Sequence, residues 1–257
     1  MNNYLEIQCK ETSNSMNIRL FTLPNLLTLA NLLSGAAAVI AVLVHHSYET
    51  ALWLIVAAAV FDFFDGFAAR LLKQTSPLGV ELDSLADDIS FGLVPAVMMF
   101  DIFYHSQSLY GLCPEFMSYA GYATLLIAAF SALRLARFNI DTTQSLEFRG
   151  LPTPANALMI ASLALLVEQG RVVLTQEHVL VISIAASLLL VSPIRMFALK
   201  FKGFGIRGNE LRYGFMLIAL LLVILIPTYS ILAIIVLYIV LSTVRWIFVK
   251  KSAEGKE

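Results

Sequence analysis

Residues 50–73 read TALWLIVAAAVFDFFDGFAARLLK and residues 77–100 read PLGVELDSLADDISFGLVPAVMMF. Each stretch is long enough to cross a ~30 Å hydrocarbon slab as a helix. Together they nevertheless carry Asp62, Asp65, Glu81, Asp83, Asp87 and Asp88. An ionised side chain at the middle of a spanning helix costs about 2.5–3.5 kcal/mol on insertion scales, so acids placed there require a partner or a function. Helical spacing sorts them: Asp62 and Asp65 are i,i+3, Asp83 and Asp87 are i,i+4, and each pair shares a face. Asp88 and Glu81 point elsewhere. The same faces carry small residues, with Gly66 one turn from Asp62, Ala69 one turn from Asp65 and Gly79 one turn before Asp83, leaving room for close approach of a ligand. Ser76 and Pro77 read as the N-cap and first position of the second helix, so a tight turn lets the two acid faces oppose each other.

The rest of the chain agrees with a membrane setting. Of 257 residues, 59% are hydrophobic and 14% charged, and the mean hydropathy is +0.80. An ordinary soluble domain has roughly half and a quarter. Disordered, collagenous and disulfide-scaffold classes are excluded, and a net charge of -1 gives no sign of a nucleic-acid partner. Eight spans are expected, at about 22–44, 50–73, 77–100, 118–139, 152–168, 177–197, 210–227 and 229–249. The fifth and seventh lie near the ~17-residue minimum for crossing.

Lys and Arg resist translocation, so their distribution orients the bundle. Lys10, Arg19, Arg70, Lys73, Arg134, Arg137, Arg149, the Arg195–Arg212 cluster and the C-terminal bases fall on one side, and only Arg171 on the other. This predicts an even number of spans, both termini cytoplasmic and a place in the cell's inner membrane. Residues 1–20 are expected to form a cytoplasmic tail without a cleavable signal, 21–249 the transmembrane domain and 250–257 a second tail. Cys9 then lies inside and Cys113 outside, where they cannot pair.

Four carboxylates converging near the cytoplasmic mouth repel one another unless a cation sits among them. Hard oxygen donors without His or Cys suit Mg²⁺ or Mn²⁺, as one ion or as a pair clamping a diphosphate. Two alternatives are salt-bridging of the acids to Arg70, Lys73 or the Arg134/Arg137 pair, and a proton or ion relay in a transporter.

Written out, Asp62-x2-Asp65-Gly66-x2-Ala69-Arg70-x8-Gly79-x3-Asp83-x3-Asp87 resembles, position for position, the signature of the CDP-alcohol phosphotransferase family. Eight fixed positions match by chance in a chain this long with probability below ~10⁻⁶. Pro24-Asn25-Leu26-Leu27-Thr28, Gly79 to Asp87, Ser90-Phe91-Gly92 with Pro95, Leu133 to Asn139 and Gly150-Leu151-Pro152 are similar to the membrane-embedded phosphatidylserine synthases within it. The resemblance covers residues 20–160 and implies an all-α, polytopic membrane bundle with a six-helix core plus two further spans, and a homodimer. It also implies transfer of a phosphatidyl group from CDP-diacylglycerol to L-serine, with release of CMP. Carried over residue by residue, Asp62, Asp65 and Asp83 hold divalent cations, and Asp87 is the base while also touching metal. Gly66, Ala69, Gly79 and Asn25 flank the CDP-diacylglycerol, and Arg70 lies by its phosphates. A related enzyme using glycerol 3-phosphate or inositol is the alternative within the family.

Arg134 and Arg137 are i,i+3 with Asn139 following, and a guanidinium grips carboxylate or phosphate bidentately. The cluster therefore reads either as a site for serine's carboxylate or the lipid phosphate, or as positive-inside anchoring. Among the remaining features, Pro95 is expected to kink the third span, His45 and His46 to be loop residues, and the Lys200–Arg212 loop to anchor on anionic lipid.

Overall fold

In a chain this apolar, hydrophobicity alone cannot mark the core. Large apolar side chains such as Phe91 and Met98 are buried while others such as Leu33 and Phe63 are exposed, and small residues fill the close helix contacts. The computed structural model of the protein describes residues 20–109, 111, 114–141, 147–197, 205 and 209–254. Cys9, Cys113, Lys200, Lys202 and Arg207 lie outside them. Its helices are α1 (Leu23–His45), α2 (Tyr48–Leu71), α3 (Pro77–Asp87), α4 (Val94–His105), α5 (Pro114–Ala120), α6 (Leu126–Ile140), α7 (Thr153–Glu168), α8 (Gln176–Val191), α9 (Glu210–Leu225) and α10 (Ser230–Glu254). Two short strands, β1 (Glu147–Arg149) and β2 (Arg195–Phe197), pair antiparallel with Phe148 opposite Met196.

Leu23–His45, Tyr48–Leu71, Gly121–Ile140 and Pro227–Phe248 are long and apolar enough to cross a membrane, and α7 and α8 are shorter apolar helices. The protein is a membrane-integral helical bundle. Leu33, Trp53, Phe63, Leu217 and Phe248 are exposed, whereas Ala38, Ala58, Ser90, Ser131, Ala161 and Ser183 are fully buried. Close helix approach, rather than exclusion of water, holds such a bundle together. Some of its buried hydroxyls are satisfied within their own helix, as where Ser183 donates to the Val179 carbonyl (2.7 Å) and Ser187 to that of Ser183 (2.7 Å).

Gly35 shows how tight the packing is. A Cβ there would lie 2.8 Å from the Ser90 Cα, which is backbone and cannot rotate away. Gly35→Ala is therefore expected to destabilise the bundle by about 1–3 kcal/mol. A thermal melt unchanged from wild type would show that α1 and the segment around Ser90 can separate at little cost.

The expected third span runs from Pro77 to His105 but is bipartite, because Asp88–Leu93 form a π-helical turn between α3 and α4. The Val94 N–H reaches back five residues to the Ile89 carbonyl. Pro95 follows at once, and its missing N–H and bulky ring are what a widened turn accommodates. The sixth span, expected over 177–197, stops as a helix at Val191. Pro193 follows, and β2 turns back along β1. Gly150 makes this possible: its φ is +79°, its N–H donates to the Ile194 carbonyl (2.9 Å), and a Cβ would strike the Leu190 backbone. Phe197 on β2 stacks edge-on with Phe215 of α9 and Tyr238 of α10, and the Tyr238 hydroxyl donates to the Phe197 carbonyl (3.0 Å). That contact fastens the last two helices to the rest.

Candidate active site

The acid faces meet because α2 and α3 form a hairpin. Lys73 adopts a left-handed φ of +53° after α2, and the Ser76 hydroxyl accepts from the Gly79 N–H (3.0 Å) with Pro77 leading α3. The capping expected from Ser76-Pro77 is thus present. Asp62, Asp83 and Asp87 each offer a carboxylate oxygen, and these oxygens lie within 4.8 Å of one another. Asp65 is placed differently from the other three. It is buried, and its Oδ2 accepts from the Thr28 hydroxyl of α1 at 2.6 Å.

A second tie from α1 reaches the catalytic candidate itself, since Asn31 Nδ2 donates to Asp87 Oδ1 at 3.0 Å. Ser90 in turn donates to the Asn31 carbonyl (3.0 Å), fixing α1 against the π-helical turn. Thr28 and Asn31 were not singled out as site residues in the sequence. The signal was there: Asn25, Thr28 and Asn31 recur every third residue as a buried polar stripe on an otherwise apolar span. Thr28→Val keeps the shape and removes the donor. A hydrogen bond to a charged group is worth about 1.5–3 kcal/mol, so activity should drop about ten- to hundredfold with little change in the melting temperature. Unchanged activity would mean that Asp65 needs no orienting partner.

Among the described residues, none of the four aspartates forms an ion pair with Lys or Arg, and Asp83 Oδ1 is buried with no hydrogen-bond partner. The salt-bridge alternative is therefore not what the geometry shows. Like charges at this spacing repel strongly in a low-dielectric setting. An all-oxygen set with an orphaned carboxylate oxygen fits a hard divalent cation, which Asp62, Asp83 and Asp87 would hold with Asp65 alongside.

Next to the acids lies a cavity of about 180 Å³, lined by Asn25, Thr28, Asp65, Gly66, Ala69, Arg70, Ser76, Gly79 and Asp83. It gathers Asn25, Gly66, Ala69, Arg70 and Gly79 into one wall. Gly79 faces Asn25 Oδ1, and Arg70 folds back over Gly66.

Arg134 is buried in the fourth expected span, with its Nη1 3.4 Å from the Thr153 hydroxyl and its Nε unpaired. Arg134, Arg137 and Arg149 line one small cavity against Leu190 and Val191. Arg149 of β1 thus joins Arg134 and Arg137, where the sequence pattern pointed to Arg134, Arg137 and Asn139. Asn139 is placed apart from it. It is exposed and donates to the Ser84 hydroxyl of α3 at 2.8 Å, a contact that joins two helices.

A membrane bundle with an acid cluster of this spacing beside a Gly-lined cavity can place a divalent cation next to a bound ligand. The chain belongs to the CDP-alcohol phosphatidyltransferase family, whose sequence model matches residues 21–192. It is similar to the CDP-diacylglycerol–serine O-phosphatidyltransferase of Helicobacter pylori strain 26695, at 31% identity over 233 residues, 89% of this chain and 92% of that protein. Proteins of the same name from Bacillus subtilis (32% identity, 55% of this chain and 75% of that one) and Methanocaldococcus jannaschii (30% identity, 58% and 63%) are similar to it over 143 and 149 residues.

Proposed function

We propose that this protein is a phosphatidylserine synthase, which moves the phosphatidyl group of CDP-diacylglycerol onto the hydroxyl of L-serine and releases CMP. The observation that carries the reading is the juxtaposition of Asp62, Asp83 and Asp87 with the Gly66/Ala69/Gly79 cavity. Relatives named for this reaction and spanning nearly the whole chain support it. Mg²⁺ or Mn²⁺ bound at the aspartates would neutralise charge on the diphosphate and on the departing CMP.

The chain's own residues do the rest. Gly66, Ala69 and Gly79 lack side chains that would hold a nucleotide off the backbone, and Arg70 supplies a cation by its phosphates. Asn31 holds one oxygen of Asp87 and leaves the other for the incoming hydroxyl. That hydroxyl is a poor nucleophile until its proton is removed, and a positioned carboxylate within hydrogen-bond reach removes it as the P–O bond forms. The bond between the lipid phosphorus and the bridging diphosphate oxygen then breaks, and CMP leaves with the electron pair. The buried guanidinium of Arg134, with Arg137 and Arg149 beside it, suits an anionic group such as serine's carboxylate. The enzyme would lie in the inner membrane with both termini cytoplasmic, since the Lys/Arg asymmetry puts the acid end of the bundle inside, and the family resemblance implies a homodimer.

Gly66 offers a clean test of the cavity. The nearest atoms to an added Cβ are the Arg70 guanidinium nitrogens at 3.7 and 3.9 Å, so an added methyl is tolerated by the fold but occupies ligand space. Gly66→Ala should raise KM for CDP-diacylglycerol by about tenfold without lowering the melting temperature. An unchanged KM would remove the nucleotide from this wall. For the acceptor, purified protein is supplied with CDP-diacylglycerol, Mg²⁺ or Mn²⁺ and serine, glycerol 3-phosphate or inositol. Serine-dependent CMP release supports the proposal, release with another alcohol transfers the chain to the alternative within the family, and no release with any acceptor favours a transporter.

A further inference from the structure

At the opposite end of the bundle, roughly 20 Å from the acid cluster along α2, the C-terminus of α1, the start of α2 and the end of α4 come together around one buried carboxylate, Asp101. His46, a loop residue at the end of α1, sits at 3.1 Å from Asp101 Oδ1 through its Nδ1, and His105 Nδ1 is 3.5 Å from the same oxygen. The Tyr48 hydroxyl donates to the other oxygen, Oδ2, at 2.6 Å. We propose that His46, Asp101 and His105 form a second cation site, selective for a first-row transition ion such as Zn²⁺ and separate from the aspartates of the transfer reaction.

Two imidazoles and a carboxylate are the donor set such ions take, with a fourth position left to water. Ligand atoms of all three residues lie within 4.8 Å of one another. A tetrahedral ion with bonds of 2.0–2.1 Å separates its ligand atoms by about 3.3 Å, close to the His46–Asp101 spacing. The surrounding contacts are those that orient metal ligands elsewhere. Tyr48 donates to Oδ2, which His46 Nδ1 also approaches at 3.3 Å, and His105 Nδ1 lies 2.8 Å from the Asp101 backbone carbonyl, which holds its ring beside the carboxylate.

A hydrogen-bonded tie between helices would need one imidazole. Here two exposed rings, their centroids 4.9 Å apart and edge to face, converge on a carboxylate whose second oxygen is already filled. His46 also occupies a left-handed cap (φ +48°) where Gly is the usual residue, and that turn is what carries its ring over Asp101.

The test uses the full chain in detergent, stripped by chelator and titrated with Zn²⁺ in the presence of excess Mg²⁺, which competes for the oxygen ligands of the aspartate cluster. The expected result is one Zn²⁺ per chain, with imidazole scattering and a nitrogen/oxygen shell at 2.0–2.1 Å in X-ray absorption. His46→Ala and His105→Ala should each weaken binding by at least about tenfold, while His45→Ala leaves it unchanged. Gel filtration and thermal melting establish that the variants fold, so the outcome does not depend on the transferase reading. Binding that survives both His substitutions, a shell without imidazole, or no stoichiometric Zn²⁺ would each overturn the proposal.

Discussion

Asp87→Asn should reduce CMP release from CDP-diacylglycerol by about 10²–10⁴-fold, the range that a positioned general base contributes, while CDP-diacylglycerol binding is kept. The change is nearly isosteric, and the amide oxygen can still accept from Asn31 Nδ2, so the 3.0 Å tie to α1 survives. The variant loses the ability to take a proton, together with one charged oxygen of the cluster that Asp87 shares with Asp62 and Asp83. Binding is read by equilibrium titration with the nucleotide lipid, and turnover by CMP formed with serine present. Retained turnover would remove Asp87 from its role, and loss of binding together with turnover would make it a structural residue.

Asp83→Asn is the second large effect and acts through a different quantity. Asp83 shares the three-oxygen cluster with Asp62 and Asp87 and carries a buried oxygen that no protein donor satisfies. Replacing that oxygen by an amide nitrogen takes away a charged donor from the cation. Turnover should drop about a hundredfold or more at ordinary Mg²⁺, and the Mg²⁺ concentration giving half-maximal activity should rise by at least tenfold. A variant whose activity fell with no change in Mg²⁺ dependence would place Asp83 outside the cation's reach. The contrast with Asp87→Asn is informative, because extra Mg²⁺ should restore part of the activity in one and none in the other.

The parts of this site that lie within one helix or one hairpin were readable in the sequence. The i,i+3 and i,i+4 spacings place the acid pairs, the glycines one turn away open the cavity wall, and Ser76-Pro77 starts α3 as capping chemistry requires. What depends on contacts between distant segments was not readable. Thr28 meets Asp65 and Asn31 meets Asp87 across 37 and 56 residues, and a lone hydroxyl or amide on an apolar span looks the same whether it packs a helix or orients a carboxylate. The π-helical turn has a local cue in Pro95, but a kink and a widened turn satisfy that cue equally. β2 is only three residues long, Arg195–Phe197, and only the pairing with β1 makes them a strand. Arg149 enters the arginine cluster through that same pairing, whereas Asn139, adjacent to the cluster in sequence, is turned to Ser84.

Direct displacement at the lipid phosphorus, with Asp87 taking the proton of serine's hydroxyl, is the centre of the account. The most direct measurement is the stereochemical course of transfer, followed with CDP-diacylglycerol whose lipid phosphorus is made chiral by a heavy-oxygen label at one non-bridging position. Serine attacking in line opposite the departing CMP gives phosphatidylserine with inverted configuration. Retained configuration would require two successive displacements through a covalent phosphatidyl-enzyme, and would contradict a site built around a base rather than a nucleophile.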